Sequence, residues 1–119
     1  MQIKSLRPFL GAKDYEASRA FYRELGFTEK DLGHGMCVFC KDKFCFYLQK
    51  AYVKDWVDNT QVFLEVEDLD AVHKDLVALN LEKKFSGVKL TEIRNDSWGR
   101  ECFLHDPSGI LWHFGTFNS

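Results

Sequence analysis

The sequence predicts an α+β protein built from two tandem β-α-β-β-β modules, and three observations carry that expectation. Shifting the chain by 54 residues lays Phe9-Leu10 on Phe63-Leu64, Asp14 on Asp68, Ala17 on Ala71 and Leu25 on Leu79, with Phe27 falling on Leu81. An internal repeat of this kind organises a fold before any motif does. In each copy an Asp separates a short apolar run from a stretch with helical periodicity. After each such stretch the pattern changes to period two around a turn signal. The expected organisation is one domain over residues 1–119, with a first module at about 1–54 and a second at about 60–119.

Each element follows from its own residues. Pro8 to Ala12 and Val62 to Val66 read as short strands. Asp14 and Asp68 come next, at N-cap positions where a carboxylate accepts a free backbone N–H of the first helical turn. Helices then run from about Tyr15 to Leu25 and from Leu69 to Leu79. Ala17, Ala20, Phe21 and Leu25 mark the apolar face of the first, and Ala71, Val72, Leu76 and Leu79 that of the second. Gly26 and Asn80 stand at the C′ position, where a left-handed residue closes the last turn. Cys37 to Cys40 and Phe44 to Gln49 flank a hairpin at Lys41-Asp42-Lys43. Glu101 to His105 and Ile110 to Gly115 flank a stronger one at Asp106-Pro107-Ser108-Gly109. Two or three antiparallel strands complete each module, and polar Asp55 to Thr60 joins the halves.

Composition narrows the function classes. Hydrophobic residues at 45% and charged residues at 29% exclude bulk disorder. Aromatics reach 15%, with 11 Phe, enough to fill a core and line a groove with rings as well. The net charge of −2 includes no basic stripe, so a nucleic-acid partner is not expected. No apolar run approaches the roughly 18 to 20 residues that cross a bilayer, so no membrane partner is expected either. Met1 to Arg7 has no long apolar segment, and a cytoplasmic location is the expectation. The four cysteines, Cys37, Cys40, Cys45 and Cys102, are then expected as reduced thiols. Cys37 and Cys40 have C-x-x-C spacing, but on a strand positions three apart point to opposite faces, and no second such pair exists. A structural role is expected for both.

Two stretches resemble a known superfamily. Phe21-Tyr22-Arg23-Glu24-Leu25-Gly26-Phe27, after an Asp-capped helix start, resembles the first module of the vicinal oxygen chelate superfamily. That group includes glyoxalase I, fosfomycin-resistance enzymes, extradiol dioxygenases and bleomycin resistance proteins. Trp98-Gly99-Arg100-Glu101, Asp106-Pro107-Ser108-Gly109 and Trp112-His113-Phe114 resemble the end of the second module, most closely that of bleomycin resistance proteins. The resemblance covers essentially the whole chain. It implies the glyoxalase/bleomycin resistance fold, in which each module curls into a half-barrel and the concave faces form a cleft, often completed by a second subunit.

Strand alternation selects the residues on those faces. Pro8, Leu10 and Ala12 are expected toward the helix, with Phe44, Phe46, Leu48, Ile110, Trp112 and Phe114. Arg7, Phe9 and Gly11 then look into the cleft, as do Gln61, Phe63 and Glu65, Cys45, Tyr47 and Gln49, and Leu111, His113 and Gly115. Metal-dependent relatives place one ligand on the first and last strand of each module, and the matching positions here are Arg7, Tyr47, Gln61 and His113. A guanidinium has no lone pair to offer, so only Gln61 and His113 suit a cation; no metal, no cofactor and no catalytic residue are expected. What remains is a binding surface of Arg7, Phe9, Tyr47, Gln49, Trp56, Gln61, Phe63, Glu65, Trp98 and His113. Rings stack on planar molecules and attract cations.

The resemblance therefore implies a metal-independent binding protein, with a bleomycin-like or other aromatic small molecule as partner and a homodimer as the assembly. One alternative is a glyoxalase- or dioxygenase-type metalloenzyme with an altered site at Gln61 and His113. Another is a ligand-sensing or structural domain. A covalent route would need Cys102 opposite His113 across the last hairpin.

Overall fold

The computed structural model describes residues 1–118. Strand β1 (Phe9–Gly11) leads to helix α1 (Tyr15–Glu24), whose first turn is closed by the Asp14 carboxylate accepting the Ala17 N–H at 3.0 Å. Gly26, at φ 107°, ends the helix in the left-handed region. Strands β2 (Thr28–Gly33), β3 (Met36–Lys41) and β4 (Phe44–Gln49) form an antiparallel meander. Strand β1 returns alongside β4 in parallel, giving the order β1-β4-β3-β2.

The second half repeats this wiring. Helix α2 (Lys54–Asp58) leads into β5 (Gln61–Glu65) and α3 (Leu69–Ala78), capped by the Asp68 carboxylate on the Ala71 N–H at 3.0 Å. Asn80 takes the left-handed conformation at φ 53° and is followed by α4 (Leu81–Lys84). Strands β6 (Lys89–Leu90), β7 (Arg94–Asn95), β8 (Gly99–His105) and β9 (Leu111–Phe117) complete the chain. The sheet order is β5-β9-β8-β6, with β7 also on β8 and β5 parallel to β9 as β1 is to β4. The edge position that β2 fills in the first sheet is split here between two short pieces, β6 and β7.

Both sheets turn one face into a single core. Leu10, Ala12, Phe46 and Leu48 from the first sheet meet Leu104, Ile110, Trp112 and Phe114 from the second around Phe21, Tyr22 and Leu76. Buried hydrogen bonds tie the halves together. The Tyr22 hydroxyl donates to Asp106 Oδ2 at 2.6 Å and accepts from the Trp112 indole N–H at 3.0 Å. Asp106 Oδ1 accepts the N–H groups of Ser108 and Ile110 at 2.8 and 2.9 Å, shaping the turn. Ser108 Oγ lies 3.2 Å from Ser18 Oγ and accepts the Lys13 N–H at 2.9 Å, so the second hairpin's turn sits at the start of α1. Burial raises the Asp106 carboxyl above its ordinary value despite these donors, and raises the Tyr22 phenol well above its own.

Four expectations are corrected. Phe44, expected toward the helix, is exposed, because it closes the hairpin at the far end of β4 from the core. Pro8, expected inward with Leu10, is exposed and precedes the paired part of β1. The polar joint is not a bare linker: α2 turns Val57 into the core. The four cysteines are not all thiols. Cys40 and Cys45 are disulfide-bonded, while Cys37 and Cys102 are free and buried. The hairpin turn is two residues, Asp42-Lys43, with Asp42 at φ 55°. That register sets Cys40 directly opposite Cys45, whereas a three-residue turn would have offset them. Among the described residues no helix is long and apolar enough to cross a membrane.

Candidate functional site

The faces turned away from the core carry the candidate residues. On the second sheet, β5 presents Gln61, Phe63 and Glu65, and the pairings Glu101↔Gly115 and Phe103↔His113 place β8 and β9 side chains beside them. His113 is held from two sides. Its Nδ1–H donates to Glu101 Oε1 at 2.9 Å, and its Nε2 lies 2.8 Å from the Gln61 carboxamide oxygen. Glu101 is itself buried, so the imidazole orientation is fixed by a carboxylate that water scarcely reaches.

Around this pair lies a group of rings. Phe63 has its centroid 6.0 Å from His113, 6.1 Å from Trp98 and 5.7 Å from Phe117, and Trp98 lies 5.3 Å from Phe117. Phe103 meets His113 edge to face at 5.0 Å. Gly115 makes room for this group, since a Cβ there would lie 2.6 Å from Phe63 Cζ. Replacing Gly115 with Ala is therefore expected to lift the Phe63 ring and to cost about 1 to 3 kcal/mol by overpacking. A shifted Trp98 emission maximum and a lower urea midpoint are the observables, and unchanged values for both would show that the ring is not seated on the strand.

The first sheet carries a smaller set. Phe9 stacks on Tyr47 with centroids 4.8 Å apart and planes at 26°. The Arg7 guanidinium lies 5.8 Å from the Tyr47 ring centroid, and its Nη1 donates to the Tyr47 hydroxyl at 3.3 Å. A groove of about 370 Å³ runs beside this group, lined by Arg7, Lys30, Leu32, Val38, Cys40 and Tyr47 among others. Gln49 lies on the same strand face as Tyr47, half-buried.

The structure thus gathers Gln61, Phe63, Trp98 and His113 into one group and Arg7, Phe9 and Tyr47 into another. Among the described residues no hydrogen bond or ring contact joins the two groups. Glu65 is exposed at the end of β5 and forms no ion pair among the described residues, and Arg7 meets Tyr47. Trp56 is 74% exposed on the solvent side of α2 and joins neither group. Cys102 does not face His113. Its partner across the hairpin is Phe114, its side chain is in the core, and burial pushes its thiol up to about 11. The residue opposite His113 is Phe103.

Three members of the second-sheet group escaped the sequence reading: Glu101, Phe103 and Phe117. Glu101 and Phe103 share the parity of His113 once the Asp106-Pro107-Ser108-Gly109 turn fixes the register, and diagonal cross-strand neighbours are within reach of long side chains. The donor set does not suit a divalent cation. Arg7 brings a positive charge, the Tyr47 hydroxyl is engaged by Arg7, and His113 is already held between Glu101 and Gln61. Among the described residues no group of three or more His, Cys, Asp or Glu side chains is placed to hold a metal ion.

The sequence model described as the Glyoxalase/Bleomycin resistance protein/Dioxygenase superfamily matches residues 4–114. The chain belongs to that superfamily. Solved structures of the glyoxalase/bleomycin resistance fold superpose on it over nearly its whole length. The bleomycin-binding protein from bleomycin-producing Streptomyces verticillus, complexed with copper(II)-bleomycin, does so with a TM-score of 0.81 at 24% identity, covering 100% of this chain and 99% of that one. A bleomycin resistance determinant encoded on transposon Tn5 gives 0.81 at 18% identity, covering 98% and 100%. An antibiotic binding protein from Streptomyces sp. CB03234 gives 0.74 at 20% identity, covering 99% of each chain. No curated protein sequence matches. At these identities the likeness is one of fold, and the two tandem halves described above are that fold.

Proposed function

We propose that the chain is a metal-independent small-molecule binding protein that, like bleomycin resistance proteins, sequesters a planar, cation-bearing ligand in an aromatic cleft. The observation that carries this reading is the exposure of large rings on the faces away from the core: Phe9, stacked on Tyr47, is 55% exposed, and Phe63, at the centre of the second-sheet rings, is 44% exposed. Such surface is costly to leave in water and suits a flat apolar ligand. Tyr47, Gln49 and Gln61 supply orienting hydrogen bonds, and Glu65, with no cationic partner among the described residues, supplies charge for a ligand cation. Trp56 enters the site only if ligand or assembly brings α2 over it.

Neither ring group encloses a ligand alone, and both sheets commit their other faces to one core. A homodimer that lays the first-sheet face of one copy against the second-sheet face of the other would bring Arg7, Phe9 and Tyr47 within reach of Phe63, Trp98 and His113. The relatives that bind bleomycin favour this reading over an aromatic surface of no function.

Two measurements test it. Titration with bleomycin and with its copper(II) complex, followed by Trp emission and calorimetry, is expected to saturate with quenching at one ligand per cleft. The protein alone, incubated with Zn²⁺, Ni²⁺, Mn²⁺ or Fe²⁺ and desalted, is expected to retain metal at a ratio near zero. A ratio near one that His113→Ala abolishes would replace this reading with an altered-site metalloenzyme. Absence of binding by any bleomycin-class or aromatic cationic ligand would leave a structural domain.

A further inference from the structure

We propose that the Cys40–Cys45 pair is a reversible thiol–disulfide exchange site that reacts with small anionic thiols while the fold stays intact. The two residues are direct partners across the β3–β4 ladder, with Cα atoms 4.2 Å apart. Their side chains share the open face of the first sheet with Val38 and Tyr47, since alternate residues on paired strands point the same way. Both are half-buried, whereas Cys37 and Cys102 are sealed on the core side. A small thiol can therefore reach this sulfur pair and no other cysteine.

The fold does not depend on the bond. The hairpin is paired through six successive residue couples from Met36↔Gln49 to Lys41↔Phe44, and the disulfide closes only the short loop between residues 40 and 45. The entropy removed from the unfolded chain is correspondingly small. Charge favours exchange. The exposed turn Lys41-Asp42-Lys43 between the two cysteines carries a net positive charge, and Arg7 and Lys30 line the groove that Cys40 borders. Glu29, the carboxylate of that groove, is spent on Arg19 and Arg23. Cations of this kind stabilise a released thiolate and draw in an anionic attacking thiol.

The exchange proceeds in two balanced steps. A small thiolate attacks one sulfur of the pair, the protein S–S bond breaks, and a mixed disulfide forms with release of one Cys thiolate. A second small thiolate attacks the mixed disulfide, leaving as the oxidised small disulfide and freeing the other Cys. Two electrons pass to the protein, and each thiolate takes a proton from water as its pKa dictates.

The test is native-state reduction of the oxidised protein with 3-mercaptopropionate, 2-mercaptoethanol or cysteamine, with thiols trapped by maleimide and located by peptide mass. The expected result is modification at Cys40 and Cys45 only, an unchanged circular dichroism spectrum, and recovery of the disulfide on adding an oxidised small disulfide. The rate per thiolate is expected to be about tenfold higher for 3-mercaptopropionate than for cysteamine. That ratio is expected to collapse in high salt and in a Lys30→Gln, Lys43→Gln variant. Cys45→Ser should keep the fold and show no reducible bond. Reduction only under denaturing conditions, labelling of Cys37 or Cys102 at the same rate, or equal rates for the three thiols would overturn the proposal.

Discussion

Replacing Tyr22 with Phe is expected to lower unfolding free energy by about 2 to 4 kcal/mol, although the ring and its packing are kept. The hydroxyl is buried and does two jobs at once: it donates to Asp106 at 2.6 Å and accepts from the Trp112 indole at 3.0 Å. Without it, a buried carboxylate loses a charge-assisted partner and an indole N–H loses its acceptor, in a place buried from bulk solvent. The effect should also depend on pH. Burial holds the Asp106 carboxyl above its ordinary value, and the Tyr22 hydroxyl is one of the donors that pull it back down. A carboxyl whose folded pKa is raised favours folding in its protonated form. Its contribution is complete below the unfolded value of 3.8 and is lost as pH rises through the folded value. Removing the donor raises the folded value further, so the loss in Tyr22→Phe should be larger at pH 7 than at pH 4, close to the unfolded value of 3.8. Urea melts at the two pH values check both size and direction. A variant as stable as the parent at pH 7 would mean that the halves are not locked through this hydroxyl.

The second large effect concerns ligand. Trp98→Ala is expected to weaken a stacked planar ligand by about 1 to 3 kcal/mol, roughly tenfold to a hundredfold in Kd, with the fold intact. Trp98 is half-buried against Phe63 and Phe117, so its indole is positioned by neighbours and also open to a partner. Phe63→Ala should cost a similar amount. The double variant should lose less than the sum, because each ring orders the other. Trp56→Ala serves as the contrast: its side chain contacts neither group, and affinity is expected to change only if α2 comes over the cleft in the dimer. Calorimetric titration with bleomycin measures all four proteins. Unchanged affinity in Trp98→Ala would remove that indole from the site.

Much of the architecture is legible in the residues because the physics that places it is local. Asp14 and Asp68 each cap a helix, Gly26 and Asn80 each close one in the left-handed region, and the alternation along Ile110, Trp112 and Phe114 puts all three in the core. Where that local signal fades, the reading fails. Strand β2 is an edge strand with five of its six residues polar or glycine, so it has no apolar period to detect. Helix α2 follows Val53, an N-cap residue whose side chain makes no capping hydrogen bond. The disulfide and the Cys102 placement both hinge on register, which a one-residue difference in turn length reverses. The candidate site divides in the same way. Phe63, Gln61 and His113 follow from strand parity, whereas Glu101 and Phe103 belong to it only through cross-strand pairing, and Phe117 because β9 runs two residues past Gly115. The division of the ligand-facing residues between two separate faces is a property of how the sheets share their core, which no single strand reports.

The docking of the second hairpin's turn against the start of α1 bears on the order in which the molecule assembles. Ser18 with Ser108, Lys13 with Ser108, and Tyr22 with Asp106 are separated along the chain by 90, 95 and 84 residues. Contacts this distant form only after most of the chain has been closed into a loop, and closure is entropically expensive before the contacts reward it. The first helix therefore waits for the last hairpin to complete its own core. The apparent boundary between the two repeats is a boundary in wiring, while cooperativity runs across it: the halves are expected to melt in one transition.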